Sequence, residues 1–205
     1  PQSVSIGTAD NYLIPAVVCY NSEINEWSAG DEALNKGSLV NSQLYRDLPL
    51  LYGGGMKKEK LHQIMVVFFS YLIKLAVNEC NGRLIKNILV TVEEVTPAIL
   101  NGLTEVLAGL GYGEEDVKII SHSESFVYYT LNQNKDIWIN KVLFLELNRH
   151  GFTCRRLEVV KGKEPHVADV AVEDLSDMLT MEMVEKDGDA ADRILADYMD
   201  MLLKK

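Results

Sequence analysis

The chain has 205 residues, of which 47% are hydrophobic, and this composition excludes wholesale disorder. Its formal net charge of −10 argues against a nucleic-acid or acidic-membrane partner, because both bind basic surfaces. Three widely separated cysteines, Cys19, Cys80 and Cys154, are odd in number and lack CxxC spacing. They are typical of reduced thiols, so we expect a cytoplasmic protein without a disulfide framework or a zinc site.

The first eighty residues predict a hairpin followed by a long helix. Residues 12–20 predict a strand, and residues 24–28 predict its hairpin partner. A short helix is expected to begin at Gly30, whereas the weak periodicity of residues 37–51 predicts irregular structure. Residues 56–80 carry apolar side chains on almost every side of a helix, which predicts burial between layers. We expect no membrane span there, because the apolar core is short and interrupted by polar residues.

From residue 87 onward, strands alternate with helices. Residues 87–92 predict a buried strand, and Thr96 and Pro97 are typical of the cap and first turn of a helix that extends to residue 110. The remaining expected elements are strands at 117–120, 142–147, 152–159 and 166–171, and helices at 123–131 and from 189 onward.

This alternation predicts an α/β layered fold with a mainly parallel central sheet. In such sheets, ligands bind in a crevice beyond the carboxyl ends of the strands. Polar residues follow three of the predicted strands: Glu93 and Glu94 after the first, residues 121–124 after the second and residues 146–151 after the third. We therefore expect these three groups to lie along one edge of a single sheet.

The order of these pieces resembles the actin-like ATPase superfamily, and most closely the ATPase domain of DnaK-type chaperones. Residues 14–18 and 27–33 are similar to the family's Thr-Pro-Ser-Val-Val strand and the segment after it. Residues 88–92 resemble its Ile-Thr-Val-Pro-Ala strand, and residues 142–153 resemble its second phosphate loop with the flanking strands. The resemblance implies a ribonuclease-H-like (actin/DnaK-type) layered fold with a mixed central sheet.

The resemblance also implies a division into lobes. The first actin-like lobe would span residues 1–135, with a small inserted subdomain at about 20–55, and residues 136–205 would begin a second, partial lobe. By the same resemblance, ATP and Mg²⁺ are the possible cofactors, and the partners are expected to be proteins rather than nucleic acid or membrane.

Site residues follow from the same resemblance. The family's Asp-x-Gly-Gly-Gly-Thr phosphate loop falls on residues 146–151, and its water-positioning glutamate falls on His122, with Glu124 two residues further on. His122 and Glu124 are thus the catalytic candidates, and Glu146 is the candidate metal ligand. The candidate nucleotide-binding residues are Ser121, Glu146, Asn148, Arg149, His150 and Gly151.

Two departures from the family pattern set the functional prediction. Glycines let bare backbone approach phosphates, but Asn148, Arg149 and His150 stand where the family has three of them. The first phosphate loop has only a partial counterpart at residues 6–8, without its aspartate, and we expect that loop to be missing.

We therefore predict a pseudoenzyme that serves as a non-catalytic binding or structural module. One alternative is an atypical ATP-binding or ATP-hydrolysing protein, in which Glu146 binds a divalent ion through phosphates, Arg149 neutralises phosphate charge, and Glu124 or His122 orients water. Another alternative is an actin-like assembly scaffold.

Overall fold

The computed structural model describes residues 14–52, 54–131, 141–148, 151–160 and 166–204. Within these ranges the protein is mixed α/β, with eight strands and six α-helices. Backbone contacts divide the chain into two compact units, Pro1–Ser121 and His122–Lys205. The predicted lobe boundary at residue 135 and the partial loop at residues 6–8 both lie outside the described residues.

The first unit begins with a small antiparallel sheet. Strands β1 (Val18–Asn21) and β2 (Glu26–Ala29) form the predicted hairpin, and α1 (Gly30–Lys36) follows. The prediction of irregular structure over 37–51 was wrong, because β3 (Ser42–Tyr45) pairs with the other edge of β1. This strand has only two adjacent apolar residues and no clear alternation, so its pairing partner, rather than its own pattern, determines its structure.

Helix α2 (Lys58–Glu79) is the longest element of the first unit. The predicted helix is confirmed, but its burial on all sides is not: its buried residues are Leu61, Ile64 and Met65. At 22 residues it is long and apolar enough to cross a membrane by length and composition, a test that core helices of globular proteins also pass. The expectation that this segment does not span a membrane therefore stays a prediction.

A parallel β–α–β segment completes the first unit. Strands β4 (Ile88–Val92) and β5 (Val117–Ser121) pair in parallel and are connected through α3 (Pro97–Gly109). The side chain of Thr96 accepts a hydrogen bond from the Ile99 amide at 3.2 Å, as expected of an N-cap. The core of this unit is formed by β1, α2 and α3, through residues that include Val18, Ile64 and Val106.

The second unit is a three-layer arrangement around one antiparallel sheet. Its strands β6 (Lys141–Asn148), β7 (Gly151–Val160) and β8 (His166–Asp174) pair in that order. Helix α4 (His122–Leu131) packs on one face of the sheet through Val127 against Leu157, and the last helix packs on the other face through Tyr198 against Phe152. The elements in chain order are α4 (His122–Leu131), β6 (Lys141–Asn148), β7 (Gly151–Val160), β8 (His166–Asp174), α5 (Met181–Lys186) and α6 (Gly188–Leu203).

The α/β class is thus confirmed, while the single, mainly parallel sheet is not. Among the described residues, β4 and β5 form a two-stranded sheet, and β6 belongs to the separate antiparallel sheet of the second unit. The turn between β6 and β7 is short, so β6 pairs with its sequence neighbour rather than with β5. The three polar groups expected along one sheet edge therefore follow strands of two different sheets.

Candidate functional site

Two of the predicted site residues meet inside the second unit. His122 Nδ1 and Glu146 Oε1 lie 2.9 Å apart, and an ionised Glu146 accepts this hydrogen bond from the ring N–H. His122 is the first residue of α4, and Glu146 lies near the end of β6 on the sheet face that α4 covers. The imidazole is 42% exposed and the carboxylate only 13% exposed.

The second oxygen of Glu146 lies in a different environment. Glu146 Oε2 is buried and has no hydrogen-bond partner, and the same holds for the hydroxyl of Thr153. Thr153 is the residue opposite Glu146 in the pairing of β6 with β7. Buried polar atoms without partners cost free energy, so a hydrogen-bonding ligand at this pair would be favourable.

These residues do not fit a magnesium ion held by the protein. Mg²⁺ requires oxygen ligands in octahedral geometry. The described residues contain no group of three or more histidine, cysteine, aspartate or glutamate side chains that could hold a metal ion. One oxygen of Glu146, the candidate metal ligand, is already bound to His122.

Glu124, the other catalytic candidate, is engaged within its own helix. It hydrogen-bonds to the hydroxyl of Tyr128, one turn further along α4. Burial raises the pKa of Tyr128, and this bond to the carboxylate raises it further. Ser121, a candidate nucleotide-binding residue, is the last residue of β5 and belongs to the first unit.

The predicted phosphate loop lies where β6 and β7 end their pairing. Asn148 pairs with Gly151 at the end of the β6–β7 ladder, while Arg149 and His150 lie outside the described residues. Gly151 adopts a φ of 149°, which favours glycine. A Cβ atom at this position would overlap the hydroxyl of Ser176.

Ser176 is fixed against this glycine by three hydrogen bonds. Its hydroxyl accepts from the amide of Phe152 at 3.1 Å and donates to Asp174 Oδ1 at 2.6 Å, and its own amide donates to the same oxygen at 3.0 Å. The bonds from Ser176 lower the pKa of the Asp174 carboxyl. The space beside the one glycine in residues 146–151 is therefore filled by the protein itself.

Sequence reasoning missed three residues of this cluster: Thr153, Arg155 and Ser176. Arg155 is only 6% exposed and shares the α4-facing side of β7 with Thr153. A signal was present in the sequence, since Thr153 and Arg155 alternate with Phe152 and Cys154, which places two polar residues on one face of a predicted strand. Ser176 carried no such signal, because it follows the third strand of the sheet and reaches Gly151 only through the fold.

A comparison with known families places this geometry in context. The model for the C-terminal region of DUF5716, a family of unknown function, matches residues 1–205. The chain belongs to this family. Among curated proteins, none matches the chain. The family description states no activity.

Proposed function

We propose that this chain is a degenerate homologue of the actin/DnaK-type ATPase domain that acts as a non-catalytic binding or structural module. The proposal assigns it a ribonuclease-H-like architecture with a mixed sheet and a partial second lobe. Two features support that assignment: the parallel β4–α3–β5 segment and the β6–β7 hairpin, which follow each other in the order that the motif resemblance implies.

The observation that carries the proposal is the hydrogen bond between His122 and Glu146. In the resembled family, these two positions would serve water and metal. Here the two side chains bind each other at 2.9 Å. The His122 nitrogen and the Glu146 oxygen that form this bond are therefore not available to a ligand. Phosphoryl transfer depends on positioning and electrostatics, and the Glu146 oxygen that is bound to His122 cannot at the same time position a metal ion or a phosphate.

The hairpin gives independent support. A phosphate tail needs bare backbone amides at close range, and the one glycine of this loop, Gly151, stands where the family has threonine. Ser176 already occupies the space beside it, held by Phe152 and Asp174. A nucleotide would therefore have to displace Ser176 as well as break the His122–Glu146 bond.

Titration calorimetry with ATP and Mg²⁺ tests the proposal. We expect no saturable heat with the unaltered chain. Saturable binding that Glu146→Ala abolishes would overturn the proposal. Glu158→Ala is the matched control, because it removes an exposed carboxylate from β7 of the same sheet and should leave any binding unchanged.

An atypical ATP-binding protein is the second candidate, and the buried Oε2 of Glu146 favours it. That atom and the Thr153 hydroxyl have no hydrogen-bond partner, as expected at a site that a ligand completes. Under this candidate, Glu146→Gln would weaken ATP binding in the same titration, because it removes the charge while keeping the shape of the side chain.

We also propose a cytoplasmic protein whose partners are other proteins. The net charge of −10 disfavours nucleic acid and acidic membranes. Cys19 and Cys154 are buried and all three cysteines are free thiols, which suits a reducing compartment. Fractionation of cells that express a tagged chain would test the location, and recovery in an oxidising compartment would contradict it.

A further inference from the structure

An apolar groove of about 520 Å³ lies in the first unit, between α2 and β4. One wall is a stripe of α2 side chains at helical spacing, among them Phe69, Leu72 and Ile73. The other wall is formed by residues 87–92, six in succession, which cover the whole of β4.

That unbroken succession identifies the second wall as the edge of β4. Neighbouring residues of a strand point to opposite faces, so a groove that contacts all of them runs along the backbone edge. One edge of β4 pairs with β5, and no strand among the described residues pairs with the other. Along this edge the backbone N–H and C=O groups of β4 have no described strand as a partner, and a further strand would satisfy them.

The chemistry of the groove restricts its occupant. None of the described side chains that line it is charged, although charged residues make up 24% of the chain. A charged occupant would lose its hydration without gaining a partner. An alkyl chain would leave the edge of β4 without hydrogen bonds, whereas an extended peptide provides both backbone pairing and apolar side chains.

We propose that this groove binds an extended, uncharged apolar strand of a partner protein, which pairs beneath α2 with the edge of β4 that no described strand occupies. The span of residues 87–92 accommodates about six residues of such a strand. This inference deepens the proposed function by naming the class of partner that the binding module takes. The two remain distinguishable, because peptide binding and nucleotide binding are measured separately.

The test uses the full chain and a capped peptide of alternating threonine and valine, six residues long, with a lysine tail for solubility. We expect saturable binding by fluorescence anisotropy and slower hydrogen exchange of the amides in residues 87–92. Two further peptides carry N-methyl groups on either the odd or the even backbone amides. Since alternate amides of a strand face the same neighbour, one of these two peptides should lose binding and the other should retain it.

Variants of the groove wall provide the controls. Ile73→Lys places a charge in the groove and should weaken peptide binding at least tenfold. Val40→Lys changes an exposed apolar residue elsewhere in the same unit and should leave binding unchanged.

Three results would overturn the inference. The first is equal binding of both N-methylated peptides, which would show an apolar pocket without strand pairing. The second is protection of residues 87–92 that rises with protein concentration, which would identify a second copy as the occupant. The third is protection of these amides in the free chain that the peptide does not change, which would show that the edge is already filled.

Discussion

The candidate sites of the two units differ in whether their polar groups are hydrogen-bonded within the protein. In the first unit, α2 and β4 form an apolar groove whose described side chains carry no charge, and no described strand pairs with the groove edge of β4. In the second unit, His122, Glu146 and Ser176 lie where the sequence resemblance predicts a ligand, and they are bound to each other or to neighbouring backbone. The site predicted from motifs is therefore the one whose side chains bind each other or the backbone, whereas the apolar groove was not indicated by any motif.

The largest expected effect compares two isoleucines on the same helix. Ile64 lies on the buried face of α2, whereas Ile73 is only partly buried and lines the groove. Ile64→Ala should lower the free energy of unfolding by about 3 kcal/mol, because it leaves a cavity in the core. Ile73→Ala should cost about 1 kcal/mol or less, as a wall residue loses few contacts. Equal losses in urea unfolding would show that the groove is packed rather than open.

A second prediction concerns the hairpin of the second unit. Gly151→Ala should destabilise the protein by about 2 kcal/mol, because alanine is strained at this φ and its Cβ would overlap Ser176. Ser176→Gly alone should also destabilise the protein, because it removes the bonds to Phe152 and Asp174, but Gly151→Ala should cost less in that background than in the unaltered chain. Thermal unfolding of the single and double variants measures both terms. A Gly151→Ala variant as stable as the unaltered chain would contradict the close approach of Ser176.

The third prediction isolates the His122–Glu146 bond. A double-mutant cycle with His122→Ala and Glu146→Ala should give a coupling of about 0.5–1 kcal/mol in the free energy of unfolding. The value is modest because His122 is partly exposed and water replaces some of the bond. Additive effects of the two substitutions would mean that the pair does not form in solution, which removes the main support for a self-occupied site.

At pH 7 the smallest expected effect belongs to Tyr52 in the first unit, because its ionisation changes stability only at high pH. Burial, followed by the charge of Glu105, raises the pKa of Tyr52 to about 12. The pKa of Tyr52 in the folded protein exceeds the unfolded value of about 10. The stability that comes from burying the neutral hydroxyl is therefore complete below pH 10 and is lost as the pH rises to about 12.

Tyr52→Phe provides the control for this pH dependence. Its hydroxyl is buried without a hydrogen-bond partner in the described structure, so its removal should be neutral or stabilising at pH 7. The variant should also lose less stability than the unaltered chain between pH 10 and pH 12. Identical pH profiles of the two proteins would contradict the burial of this hydroxyl.

Local signals explain which parts of the fold were predictable. Thr96 and Pro97 determine the start of α3 within a few residues, so their effect can be read directly from the sequence. The pairing of β3 with β1 and the separate sheet of β6 depend on contacts between distant residues, which periodicity does not contain. For α2, the sequence pattern correctly predicted an apolar helix. It could not show that the helix packs through only one face in the described first unit.

The candidate site was predictable to a similar extent. Motif order singled out His122 and Glu146 separately, but their contact arises because α4 covers the face of β6 that carries Glu146. Ser176 was not predictable, since its position beside Gly151 depends on the turn after β8. A residue such as Ser176, which packs against the backbone of a distant segment, cannot be recognised from composition or motif spacing.

A crystal structure of the chain grown with ATP and Mg²⁺ tests the central claim most directly. The account predicts that Glu146 stays bonded to His122, that Ser176 stays against Gly151, and that no phosphate density lies beside them. A phosphate tail beside Gly151, with Glu146 turned away from His122, would contradict it.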